Sequence, residues 1–212
     1  IAEEIVIAYG INRIEPKIPS FYSKGSLSIR RKVINNLRRL MVSLGSIELY
    51  TTVLVNEEIN KLFTEKEIIR IKNPVSENYN SIRASLISSV FQVISESKSI
   101  KLPAKVFEVG RVAYFENGIR EEDRLLYLYI DTEVSFSDAL SVLERLFKEI
   151  GLEFNLKESY HKYLIKGRQA DVYFNGDVIG WIGEIHPEVL ERLEIKYPIV
   201  GLEIGINKFI DK

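Results

Sequence analysis

The run Gln169-Ala170-Asp171-Val172-Tyr173-Phe174-Asn175-Gly176-Asp177-Val178-Ile179-Gly180-Trp181-Ile182-Gly183-Glu184-Ile185-His186-Pro187 decides how the chain is read. Asn175-Gly176 is the strongest short hairpin signal, because both residues tolerate the positive φ of a tight turn. It predicts two antiparallel strands, 169–174 and 178–185. From Trp181 to Ile185 apolar residues alternate with small or polar ones, as in a half-buried strand. Pro187 supplies a fixed φ for the first turn of a helix, which makes His186 the expected N-cap. A second reading makes His186 a general acid or base beside Glu184 and Glu188, since imidazole titrates near neutrality. His161 is the one other histidine in the chain. Capping is the favoured role, because pKa-tuned pairs are a minority of strand-to-helix corners.

Outward from the hairpin, 198–206 reads as a last strand. Toward the N-terminus, 154–156 reads as a short strand. Ser135 or Ser137 opens a helix with the apolar stripe Phe136, Leu140, Leu143, Phe147 and Ile150, closed by Gly151. Strands are expected at 48–55, 68–72, 106–109, 112–115 and 125–131, with a break at Gly110-Arg111. Helices are expected at 2–9, 57–63 and 83–98. A longer helix, capped by Ser26 or Ser28, runs to Leu44 before Gly45; Val33, Leu37, Leu40 and Met41 recur on it at helical spacing. Its Arg30, Arg31, Lys32, Arg38 and Arg39 form a solvated face or, alternatively, a partner- or RNA-facing one. Pro16 and Pro19 mark a linker before it. The pattern predicts an α+β fold, an antiparallel sheet flanked by helices packed on one side.

The chain has 212 residues, 46% of them hydrophobic, enough for a substantial core. A net charge of -1 leaves no whole-chain basic footprint for nucleic acid. The absence of Cys excludes disulfides, zinc ribbons and thiol nucleophiles, and fits a cytoplasmic setting. Ile, Lys and Glu abundance with a single Met is a pointer to a thermophilic source. No signal peptide or long apolar run is found, so the chain reads as soluble, with no membrane partner. A first residue of Ile suggests a piece of a longer protein. Neither G-x-x-x-x-G-K-(S/T) nor G-x-G-x-x-G occurs, and G-x-S-x-G is missing too. Adjacent Glu3 and Glu4 read first as a dipole-favoured helix start.

Three ordered segments resemble the C-terminal part of the phenylalanyl-tRNA synthetase β subunit of archaeal and eukaryotic type. Ile1 to Ile14, with Glu3-Glu4 and Tyr9-Gly10-Ile11-Asn12, is similar to E-E-(I/V)-A-x-x-Y-G-(Y/I)-(N/D)-N-I at the end of that family's B5 domain. Asn73-Pro74-Val75-Ser76 followed by Arg83-Ala84-Ser85-Leu86 resembles N-P-x-S and then R-x-S-L. Phe107-Glu108-Val109-Gly110-Arg111-Val112 resembles F-E-(I/V)-G-x-V, and Gly180 to Leu190 resembles G-x-x-G-E-(I/L)-H-P-E-V-L.

The resemblance implies two parts: residues 1–20, the tail of the B5 domain and a linker, and 21–212, a catalytic-like module. That module would have a class II aminoacyl-tRNA synthetase-like fold that has lost aminoacylation. In agreement, Phe107-Glu108-Val109-Gly110 lacks the acid that class II enzymes place in their Arg-Glu motif, and their Gly-rich motif ending in Arg is absent. The resemblance further implies an α subunit that uses ATP to charge tRNA(Phe), in an (αβ)2 heterotetramer held partly by long helices. Leu27 to Leu44 is the candidate helix. It also places the family's Mg2+ site, shared with the α subunit, on Glu3 and Glu4; its preceding aspartates lie upstream of Ile1. Two glutamates alone should bind Mg2+ poorly. Editing belongs to an earlier domain and is not expected here. Two other readings remain, a free-standing acid-base catalyst built on His186 and a synthetase-like paralogue acting as a regulatory or RNA-binding module.

Overall fold

The computed structural model describes residues 1–20, 23–97 and 100–210. Helix α1 (Ala2–Tyr9) has Glu3 and Glu4 in its first turn and ends at Gly10, where φ is 96°. It buries none of its residues. Helix α2 (Ile29–Ser43) starts at Ser28, whose Oγ accepts from the Arg31 N–H at 3.2 Å, so Ser28 and not Ser26 is the cap. Its buried stripe is Ile34, Leu37 and Met41.

The strand expected at 48–55 is instead two short ones, β1 (Ile47–Glu48) and β2 (Leu54–Val55). Thr51 breaks it by turning inward, where its hydroxyl lies 2.6 Å from Glu108 Oε2 and 2.8 Å from Ser89 Oγ. Helix α3 (Glu57–Leu62) is capped by Asn56, which accepts from the Glu58 N–H at 2.8 Å. The strand expected at 68–72 reduces to isolated bridges, Glu67 with Phe115 and Arg70 with Ser81. Beside β3 (Ser81–Ile82) this segment makes two backbone bonds, Ile71 to Asn80 and Ile82 to Ile69, too few rungs for a ladder.

Helix α4 (Leu86–Glu96) begins three residues later than expected. Arg83 stays extended because its N–H donates to Val53 O and its carbonyl accepts from the Ala113 N–H, both at 3.0 Å. The expected helix end, Lys98, lies outside the described residues. The expected break at Gly110 is absent, since β4 (Ala104–Phe115) is continuous. Gly110 marks a close approach: a Cβ there would lie 2.4 Å from the Arg83 guanidinium. The hairpin partner β5 (Ile119–Ile130) starts earlier than its apolar part.

Helix α5 (Phe136–Ile150) follows its sequence signals closely, with a Ser135–Asp138 capping box and Gly151 at φ 68°. Next come β6 (Asn155–Glu158), β7 (Leu164–Phe174), β8 (Asp177–Ile185), α6 (Pro187–Arg192), β9 (Ile199–Gly205) and α7 (Asn207–Ile210).

The large sheet has the order β1-β4-β5-β9-β8-β7-β6. It is mixed and not wholly antiparallel, because β1 pairs with β4 in parallel. Its helices cover both faces. On one, α2 and α5 pack with Phe107, Tyr127, Ile182 and Leu202; on the other, α4 and α6 pack with Leu126, Leu128, Trp181 and Ile199. The one-sided expectation fails because Leu125, Leu126, Tyr127 and Leu128 are all at most 1% exposed. A strand apolar at both parities needs cover on both sides. Among the described residues no helix is long and apolar enough to cross a membrane.

Candidate functional site

The sheet carries four buried acids, each engaged by a helix or by the residues leading into one. Glu203, 0% exposed, accepts from Ser85 Oγ (2.6 Å) and from the Leu86 and Ile87 N–H groups (3.1 and 3.2 Å) at the start of α4. It also meets Arg124 at 3.2 Å. The free donors and positive end of a helix suit a carboxylate, which explains a lone acid inside an apolar strand. Glu108 pairs with Arg83 at 2.7 Å just before α4, both fully buried. Glu184 accepts from the Phe136 N–H (3.0 Å) that opens α5 and from Arg168 (2.8 Å). Asp123 is paired with Arg30 of α2 and with Arg111. Burial pushes the Asp123 carboxyl up, but Arg30 and Arg111 outweigh it and hold the group below its ordinary value.

These ties settle the role of His186. Its Nδ1 accepts from the Glu188 N–H at 3.3 Å and caps α6, as the Pro187 pattern predicts. Glu184 is engaged with α5 and Arg168, while the Glu188 carboxylate is 3.8 Å from Nδ1 with its side chain 88% exposed. The nitrogen that a general base would use already serves the helix. His161 is bonded elsewhere, through Nε2 to Asp171 Oδ1 at 2.8 Å. Among the described residues no hydroxyl is hydrogen-bonded to either imidazole, so neither histidine forms the nucleophile-base pair of a hydrolase.

Glu3 and Glu4 are exposed neighbours on α1, and successive helical residues project roughly 100° apart. Among the described residues no group of three or more His, Cys, Asp or Glu is arranged to hold a metal ion. Mg2+ prefers near-octahedral oxygen ligation, so these two residues alone do not fit it. The basic face of α2 is also partly spent: Arg30 is tied to Asp123, and Arg38 to Glu48 at 2.6 Å.

A cleft of about 500 Å3, which the sequence did not suggest, opens on the α4 face over β5, β8 and β9. Its walls are the segments 63–66 and 161–163. Phe63, Tyr163 and Trp181 stack edge to face, with Tyr163 5.6 Å from each neighbour. On the floor Arg124 meets Glu122 at 2.7 Å as well as Glu203, and Tyr114 donates to Glu122. Burial opposes the Glu122 charge, but Arg124, the Tyr114 bond and Lys66 prevail and lower its pKa. Burial and Glu122 together push the Tyr114 phenol up. Lys66, whose pKa burial lowers, sits with Nζ 3.4 Å from the centroid of the Tyr114 ring. The signal that could have found the floor is Glu203, a lone acid inside the apolar run Ile199 to Ile206, which calls for a buried cation such as Arg124.

Residues 14–206 match the family model described as the phenylalanyl tRNA synthetase beta chain CLM domain. The chain is 34% identical over 212 residues to a phenylalanine–tRNA ligase beta subunit of Saccharolobus islandicus, covering 98% of this chain and 38% of that protein. Similarity to the beta subunit of Saccharolobus solfataricus is 32% over 216 residues, and to that of Sulfurisphaera tokodaii 34% over 215, each covering 100% of this chain and 39% of the relative. The chain therefore spans under two-fifths of the length of these relatives.

Proposed function

The chain belongs to the phenylalanyl-tRNA synthetase β-chain family, through its CLM domain, and from that premise we propose that it is a noncatalytic part of the β subunit of phenylalanine–tRNA ligase. In this reading it has a class II synthetase-like architecture, with the module beginning near residue 21. It supports an α subunit that uses ATP to charge tRNA(Phe) in the cytoplasm, within an (αβ)2 assembly that brings tRNA to the complex.

The observation that carries the supporting role is the surface of α2 and β1. Val42 near the end of the helix, Ile47 on the edge strand and Tyr50 after it are exposed, at 57%, 64% and 90%. Apolar side chains flanking a sheet edge are what a partner helix or strand covers. Inactivity is supported by the cleft floor, where two carboxylates neutralise Arg124, and by the missing phosphate motifs. Glu3 and Glu4 would join a Mg2+ site only with ligands beyond the described residues, and no step is assigned to that ion.

The test is joint purification with an α subunit. Parent chain should retain it, and Val42→Glu with Ile47→Glu should release it while leaving the thermal midpoint unchanged. Retention by that variant removes α2 and β1 from the interface. The chain alone should give no ATP–pyrophosphate exchange with phenylalanine, and exchange would overturn the noncatalytic assignment.

A further inference from the structure

We propose that the cleft between segments 63–66 and 161–163 is a binding site for a small aromatic monocarboxylate. The proposal does not rest on how the chain assembles with other subunits.

The inner surface is suited to a flat apolar body. Phe63, Tyr163 and Trp181 are buried side chains that line it, and their edge-to-face contacts fix the walls in place. Gly180 keeps the floor low beside them. A Cβ there would lie 1.9 Å from the Glu203 carbonyl, so no side chain fills this position. A cleft of about 500 Å3 falls within the usual range for small-molecule sites, roughly 300–1,000 Å3.

Two wall lysines select the charge. Lys66 and Lys162 line the cleft, are exposed, and have no ion-pair partner among the described residues; Lys208 is engaged by Asp177. Lys66 lies over the Tyr114 ring, a contact that leaves its charge unneutralised. A carboxylate is attracted by the charges of Lys66 and Lys162, and the aromatic walls receive its ring. A polyanion is disfavoured, because Glu65, Glu122 and Asp171 also line the cleft and Arg124 is already satisfied by two carboxylates. An organic cation would be repelled by the two lysines.

Trp181, the sole tryptophan of the chain, lines the cleft and reports directly on occupancy. The 212-residue chain is titrated with benzoate while Trp181 emission is followed, with benzylamine and ATP in parallel. Benzoate should give a saturable change that benzylamine and ATP do not. Lys66→Gln with Lys162→Gln should weaken it roughly tenfold or more, and Lys196→Gln, an exposed site outside the cleft, should not. Val178→Phe, at the cleft wall, should also weaken it, without changing the charge. The proposal is overturned by no saturation up to about 10 mM benzoate, by benzylamine or ATP binding as tightly as benzoate, or by unchanged binding in the folded double-lysine variant.

Discussion

The two faces of the sheet fasten their helices with the same device in different surroundings. On the α2 and α5 face, Asp123 and Glu184 meet Arg30 and Arg168, whose side chains are 42% and 60% exposed. On the α4 face, Glu108 and Glu203 meet Arg83 and Arg124, at 3% and 14%. Water can replace a lost partner on the first face, but little reaches the second. The same ionic contact is therefore a weak tether in one place and an obligatory one in the other.

The largest effect should follow Arg83→Ala, which leaves Glu108 buried with Thr51 as its remaining hydrogen-bond partner. Urea denaturation should register a loss of about 3–5 kcal/mol. Adding Glu108→Leu should restore much of it; no recovery would mean that the cavity and not the stranded charge dominates. Next comes Glu203→Gln, which keeps the shape but weakens the bonds to Ser85 and the α4 N-terminus. About 1.5–3 kcal/mol is expected by the same measurement.

Asp123 tests the more open face through pH. Its folded pKa lies below the ordinary 3.8, so the native state binds fewer protons than the unfolded chain in that window. The resulting stability is present above the ordinary value and is lost as pH falls through the depressed one. Denaturation midpoints taken from neutral pH down into that range should show an acid limb that Asp123→Asn flattens; an unchanged limb assigns it to other groups such as Glu122.

His186→Ala, which removes only the α6 cap, should lower stability by about 1 kcal/mol in urea and leave charging by an assembled enzyme intact. Smallest is Arg168→Ala, below about 1 kcal/mol by thermal melting, since its side chain is largely in water. A loss comparable to that of Arg83→Ala would erase the contrast between the faces.

What sequence could reveal follows the same contrast. Helix α5 was legible, apart from the choice of Ser135 over Ser137 as its cap, because its stripe and terminal glycine are local, and so were the Asn175-Gly176 turn and the His186 cap. The second covered face was missed although Leu125 to Leu128 encode it, being apolar at both parities. The broken strand at Thr51 was not legible, because its cause is Glu108, 57 residues away. Nor was the cleft, whose walls come from residues near 63, 163 and 181 that share no spacing. Three ordered family motifs carried the family, while the buried acids became intelligible only once helices were seen standing on them.

Strand β9 lies between β5 and β8, although it comes last in sequence among the strands of this sheet. Before it enters, β4 and β5 form one hairpin and β6, β7 and β8 form a separate meander. Neither has a neighbour at the edge that the final strand will occupy. During synthesis the molecule is thus two half-sheets waiting for residues 199–205, and Glu203 arrives on that same strand to seat α4. Any pause before those residues emerge exposes two unpaired edges, so the interval between making β8 and inserting β9 is when this chain is most open to mispairing.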